Sequence, residues 1–242
     1  MKIKNVETRL YRLPLTEHMT DSMHGVMTHF EVILVKLTTD SGHEGIGYTY
    51  TIGQGGAAVQ SLIELSLKPI LEGANPRRIE DLWEKMWWFL HYVGRGGLVS
   101  FAISAVDVAL YDLLGNADGV PLWQMLGGNN PVIKPYAGGI DLHLTQDELV
   151  AQTHRYLEEG FRAVKIKVGR DKLYEDFERA AAVKKVLGPD IPLMVDANMR
   201  WDVETAIRAA RQFQQYDIVW LEEPTIPDDI KGHARIAVEG GL

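Results

Sequence analysis

The period of the hydrophobic pattern changes near the middle of the chain, and that change sets the first expectation about fold. Residues 2 to 11 alternate apolar and polar positions, Glu31 to Thr38 carries a stronger apolar run, and Asp40-Ser41-Gly42 supplies a turn before Glu44 to Tyr50. Such runs bounded by turn residues predict three strands of a small antiparallel meander. Helical spacing follows over Ala57 to Leu71, Pro76 to Val93 and Leu98 to Gly115. In the second helix Trp83, Trp87, Trp88 and Phe89 are expected to pack. In the third, Phe101, Val106, Ala109, Leu110, Leu113 and Leu114 fall on one face. Strands first and helices after predict a segregated α+β domain over residues 1–125.

Two stretches of that domain lack a clear period. Residues 16–29 hold three histidines, three methionines and Asp21, and are expected to form a mobile loop. Residues 51–57 contain Gly53-Gln54-Gly55-Gly56, which lacks the Lys-Ser/Thr of a phosphate-binding loop and reads as a strand-to-helix turn.

From residue 126 to 242 strand and helix alternate. Val132 to Gly138 is a strand candidate and Thr145 to Glu159 a helix, with Thr145 and Glu148 spaced as a capping box. Then come a strand around Lys165, a helix from Leu173 to Leu187, a strand ending near Asp196, a helix from Val203 to Tyr216, and a strand ending near Glu222. One strand-helix unit fits each interval, so the pattern predicts parallel strands with Lys165, Asp196 and Glu222 at equivalent places. In Ala163-Val164-Lys165-Ile166-Lys167-Val168-Gly169, alternation puts both lysines on one face and Val164, Ile166 and Val168 on the other. Functional side chains gather at the carboxyl ends of parallel strands, so Lys165, Lys167, Asp196 and Glu222 are expected to converge.

Composition narrows the options. The 242 residues are 46% hydrophobic and 24% charged, which suits a folded chain. A net charge of -8 without clustered Lys and Arg argues against nucleic acid as a partner. Zero cysteines remove thiolate metal sites and thiol nucleophiles. The first ten residues break their apolar positions with charges, and no segment approaches the roughly 18 uncharged residues of a membrane span. A cytoplasmic location and no membrane partner are expected.

Two strand-end carboxylates, with the Asn198 amide beside them, make an oxygen-rich set suited to Mg²⁺. Like charge from a dication and a neighbouring lysine disfavours an ammonium, which would free a lysine amine to act as a base near neutral pH. Lys165-Ile166-Lys167, Val195-Asp196-Ala197-Asn198 and Leu221-Glu222-Glu223-Pro224 resemble the enolase superfamily, specifically its mandelate racemase/muconate lactonizing enzyme-like branch. Ala102 to Gly115 followed by Gly119-Val120-Pro121-Leu122 is similar to that branch's helix signature, and Glu44 to Tyr48 resembles its capping-domain strand. Asn116 departs from the basic residue usual there, at a structural position.

The resemblance implies an α+β capping domain followed by a (β/α) barrel, of which this sequence holds about the first half. It implies Asp196 and Glu222 as two of three Mg²⁺ ligands, Lys167 as the base that removes the proton α to a carboxylate, and Lys165 as its neighbour contacting that carboxylate. Alternation points Glu223 away from Glu222, toward a supporting role, and Asn198 is a candidate contact to ligand or substrate. The third ligand and a His-Asp pair are implied on later strands, beyond Gly240-Gly241-Leu242, so this length alone is expected to lack normal turnover. Asp21, His24, His29 and Tyr48 suit a hydroxylated acid, and the detail is most like acid-sugar dehydratases that yield a 2-keto-3-deoxy acid. Racemisation, epimerisation or cycloisomerisation is the alternative within the family. Outside it stand a Schiff-base aldolase and a non-catalytic half-barrel that binds metal or a partner. A small-molecule carboxylate substrate and a homo-oligomer are expected.

Overall fold

The computed structural model describes residues 1–241, and the chain divides into two compact units. The first comprises Met1–Thr16 and His29–Val132, the second Glu17–Thr28 and Ile133–Leu242.

The first unit is built on a three-stranded sheet of order β1-β2-β3, with β1 at Ile3–Asp21, β2 at Gly25–Thr39 and β3 at Glu44–Thr51. β2 and β3 pair antiparallel, Leu34 opposite Tyr48, and β3 buries every second residue. The expected mobile loop at 16–29 is instead the far end of the long β1-β2 ribbon, closed by a turn at Ser22 to His24. Its polar residues hide the strand period, because near the tip both faces carry hydrogen-bonding side chains.

After β3, α1 (Gly56–Leu62) continues through a π-helical turn (Ile63–Leu67) into α2 (Lys68–Leu71). Pro69 accounts for the irregularity: it has no N–H and its ring crowds the carbonyl of Leu65, and a widened turn relieves both. α3 spans Ile79–Leu90 and α4 Leu98–Asp118, with a single turn, α5, at Leu122–Met125. α4 is long and apolar enough to cross a membrane by length and composition, and half of it is buried among protein atoms. Its buried face carries Ala102, Ala105, Val106, Ala109, Leu110 and Leu113 against β3; Phe101, expected on that face, is exposed. The close approach requires Gly45 and Gly47, where any Cβ would collide with the α4 backbone at Ala105 to Leu113. On α3, Leu82, Met86 and Leu90 enter the core, while Trp83, Trp88 and Phe89 are exposed rather than packed. Asn116 donates to the Glu44 carbonyl and the Asp112 carboxylate, the structural work expected of it.

The second unit alternates β4 (Ala137–Gly138), α6 (Gln146–Glu158), β5 (Val164–Lys167), α7 (Leu173–Leu187), β6 (Leu193–Asp196), α8 (Val203–Phe213), β7 (Ile218–Glu222) and α9 (Ile230–Gly240). The four strands form one parallel sheet in sequence order. These are the parallel strands that the alternation predicted, in the partial (β/α) barrel that the resemblance implied. The Thr145–Glu148 capping box is present at α6. β4 is shorter than expected: Val132 and Ile133 are exposed, and Pro131 and Pro135 deny the ladder its donors. α9, which the sequence left unassigned, starts with the Asp229 carboxylate accepting from Gly232 N–H and packs on α8. Val164, Ile166, Val168, Leu193 and Val195 face the helices with Leu149, Val183 and Phe213, all fully buried.

Candidate active site

Strand register decides which side chains meet. Lys165 is paired with Met194, Lys167 with Asp196, and Asp196 in turn with Glu222. The last pairing depends on an irregularity: Leu193 opposes Ile218 but Val195 opposes Leu221, so β7 carries one extra residue there. Without that bulge Leu221 would stand opposite Asp196. The same shift leaves the Trp220 indole N–H donating to Glu222 Oε2 at 3.1 Å.

The two lysines and two carboxylates form a compact ion-paired group. Lys167 Nζ donates to Asp196 Oδ2 at 2.6 Å, and Lys165 Nζ reaches both Glu222 oxygens at 2.8 Å and lies 3.9 Å from Asp196 Oδ2. Lys167 and Asp196 are buried, and the Lys165 side chain is 13% exposed against 35% for Glu222. Burial works against the Lys165 ammonium, but the hydrogen bond and charge of Glu222 and the charge of Asp196 outweigh it and hold its pKa above the ordinary lysine value. Burial likewise raises the Glu222 carboxyl, and the hydrogen bonds from Lys165 and Trp220 overcome it, leaving its pKa below the ordinary value. Tyr136 places its ring 5.4 Å from Lys165 Nζ and meets Trp220 edge-on.

The strand ends turn sharply. Asn198 and Met199 adopt φ of 44° and 65°, and Glu223 of 45°, a region that costs non-glycine residues about 1 kcal/mol or more each. The turn brings the Asn198 backbone N–H to Asp196 Oδ1 at 2.9 Å and its Nδ2 to Glu223 Oε2 at 3.1 Å. Glu223 therefore does not point away as alternation suggested: β7 ends at Glu222, and the left-handed turn swings the next carboxylate onto Asn198. Asn198 Oδ1 is buried without a hydrogen-bond partner.

The ribbon tip belongs to this unit. Thr20 N–H donates to Ile140 O, Leu142 N–H donates to Thr20 O, and Ser22 Oγ donates to Ala197 O at 2.6 Å, so the tip is bonded to the segments that follow β4 and β6. Asp21 accepts the backbone N–H groups of Met23 and His24 and pairs with His24 Nδ1 at 2.8 Å. Burial raises the Asp21 carboxyl, yet its His24 and Met23 hydrogen bonds leave it below the usual carboxylate range. His29 and Tyr48, expected beside these residues, belong to the first unit, where Tyr48 is exposed.

Sequence reasoning missed Asp141, Arg179, Tyr136 and Trp220. The first two are a buried pair linking the β4–α6 loop to α7, and nothing in spacing distinguishes them from surface charges. Among the described residues, no group of three His, Asp or Glu side chains is placed to hold a metal ion. The donor set nevertheless suits a hard dication: two adjacent carboxylates and an unpartnered amide oxygen. Mg²⁺ is commonly held by one or two protein carboxylates with water and substrate oxygens completing its shell.

A half-barrel of parallel strands with lysines and carboxylates at its strand ends defines a class of α/β enzymes, and two family models narrow it. Residues 5–127 match the mandelate racemase / muconate lactonizing enzyme N-terminal domain and residues 148–241 the enolase C-terminal domain-like model. The chain belongs to the mandelate racemase / muconate lactonizing enzyme branch of the enolase superfamily. It is 52% identical over 239 residues to a 3,6-anhydro-alpha-L-galactonate cycloisomerase of Streptomyces coelicolor, covering 99% of this chain and 66% of that protein. It is 34% identical to an L-talarate/galactarate dehydratase of Salmonella typhimurium, covering 98% and 61%. A solved structure described as a racemase from Streptomyces coelicolor with bound magnesium superposes with a TM-score of 0.97 at 52% identity, covering 99% of this chain and 67% of that one. The chain thus spans about two thirds or less of the length of these relatives.

Proposed function

We propose that this chain carries the base and two of the metal ligands of a Mg²⁺-dependent enzyme that removes the proton α to the carboxylate of an acid sugar, and that cycloisomerisation follows. The observation that carries the reading is the pairing of Lys167 with Asp196 and of Lys165 with Glu222 on adjacent strand ends. Asp196 and Glu222 would hold the ion, consistent with magnesium in the solved structures of relatives. When bound, Mg²⁺ would supply positive charge that offsets the negative charge developing on the carboxylate oxygens as the α-carbon loses its proton.

The chain's own residues account for the rest. With Asp196 and Glu222 holding the ion, the Lys167 amine is released from Asp196 and is the group placed to accept the α-proton. Lys165 keeps its ammonium and binds the substrate carboxylate, where a preorganised positive charge favours the enolate over the ground state. The Asn198 backbone N–H fixes the Asp196 carboxylate, and Glu223 in turn holds the Asn198 amide.

Proton removal at C2 is shared by dehydration, racemisation and cycloisomerisation. In a 3,6-anhydro acid the oxygen on C3 is the ring ether, so elimination breaks a C–O bond whose leaving group stays attached and the product is an isomer. In a galactarate-type acid the corresponding group leaves as water. The 52%-identical cycloisomerase therefore favours ring opening over the dehydration suggested by the polar ribbon tip. Incubation of the chain, carried together with the later barrel strands, with 3,6-anhydro-L-galactonate and, separately, galactarate, followed by mass spectrometry of the semicarbazone, tests this. A keto acid of unchanged mass from the first supports it, and keto acid from galactarate alone returns the reading to dehydration.

A further inference from the structure

Asp141 lies outside the lysine-carboxylate group, yet its side chain is bonded to the main chain of Lys167. Gly139 N–H donates to Lys165 O, and one step further the Lys167 N–H finds Asp141 Oδ1 at 3.0 Å, a carboxylate standing where a longer β4 would present a carbonyl. Asp141 is 1% exposed, and a carboxylate buried to that degree requires compensation. Arg179 on α7, itself buried, supplies it: Nη2 donates to Asp141 O at 3.0 Å and to Oδ1 at 3.3 Å, while Nη1 donates to Leu144 O at 2.7 Å. The remaining oxygen, Oδ2, is buried without a hydrogen-bond partner and occupies the space a Cβ at Gly139 would need. Residues on both sides of Asp141 are bonded to Thr20 of the ribbon tip, so the residue is held on three sides.

We propose that Asp141, clamped by Arg179, is a positioning residue that fixes the end of β5 and so sets the height and direction of the Lys167 amine. The proposal rests on the reading of Lys167 as the base. A buried pair with a purely structural role would stabilise the loop and α7 alike. Here the carboxylate is spent on the one backbone N–H that belongs to the reacting lysine.

The test reads amide hydrogen exchange of Lys167 against Val195 on the adjacent strand, in the wild type, Asp141→Ala, Asp141→Asn and Gly139→Ala. In Asp141→Ala the Lys167 amide should exchange about 10- to 100-fold faster relative to Val195, the equivalent of one hydrogen bond to a charged acceptor. Asp141→Asn should restore it to within about threefold, because an amide oxygen can still accept. Gly139→Ala, which keeps the carboxylate but takes its space, should shift the ratio the same way and carries the test if Asp141→Ala does not fold. With 3,6-anhydro-L-galactonate and the later barrel strands present, Asp141→Ala should lower kcat about 100-fold with KM nearly unchanged, the effect of a misplaced base. An unchanged exchange ratio, or equal loosening of both amides, overturns the proposal. Retained turnover in Lys167→Ala would instead overturn the base assignment and leave the exchange result standing.

Discussion

Lys167 and Lys165 share a strand face but meet different carboxylates. Lys167 is bonded to the more buried carboxylate, and Lys165 reaches across to Glu222 beneath the Tyr136 ring. Lys167→Met should lower kcat about 10³-fold, within the range of a lost general base, whereas Lys165→Met should raise KM as well as lower kcat. Steady-state kinetics on 3,6-anhydro-L-galactonate, with the later barrel strands present, separates the two. Asp176 contributes to the response to pH. Burial pushes the Asp176 carboxyl from the ordinary 3.8 to about 6, against the N–H groups of Gly169 and Arg170. A carboxyl whose folded value is raised contributes stability in its protonated form, present below the ordinary value and lost as pH rises through about 6. The loss has a ceiling of about 3 kcal/mol. Urea unfolding between pH 4 and 7 should show the wild type weakening relative to Asp176→Asn as pH rises, and parallel curves would refute the assignment.

At the scale of elements, the sequence was readable where local chemistry sets structure. The Thr145–Glu148 capping box marks the start of α6, and Leu173 and Leu187 bound α7 as the spacing required. Thr145→Ala should destabilise the second unit by about 1 kcal/mol, read from its urea midpoint. What stayed hidden depends on partners distant in sequence. The β7 bulge that places Glu222 opposite Asp196 leaves no mark on spacing, and the turn of Glu223 toward Asn198 follows from a positive φ that no alternation rule anticipates. The ribbon tip at 17–28 carries no apolar period because its partners are backbone groups of Ile140, Leu142 and Ala197. Gly47 illustrates the same point in the first unit, since only the fold reveals that the α4 backbone lies against it. Gly47→Ala should cost about 1–3 kcal/mol through overpacking, seen as a lower Tm for that unit's transition.

At the scale of the whole molecule, the site's parts were legible because one strand carried two lysines and the next two strands ended in carboxylates. Their division of labour came only from the family resemblance and not from spacing, because it depends on which lysine meets which acid. If Asp196 and Glu222 hold Mg²⁺, the ion should raise Tm: at 100-fold over its Kd, linkage gives about 2.7 kcal/mol. Differential scanning calorimetry with MgCl₂ and with EDTA should show that shift in the wild type and its loss in Asp196→Asn. The most direct test of the central claim is turnover of 3,6-anhydro-L-galactonate in D₂O with Mg²⁺ by this chain carried together with the later barrel strands, comparing the wild type with Lys167→Ala. The account predicts a keto acid of the substrate's composition carrying one solvent deuterium at C3 from the wild type, and none formed by Lys167→Ala. Equal product from Lys167→Ala, or product retaining the substrate's C2 hydrogen, would contradict it.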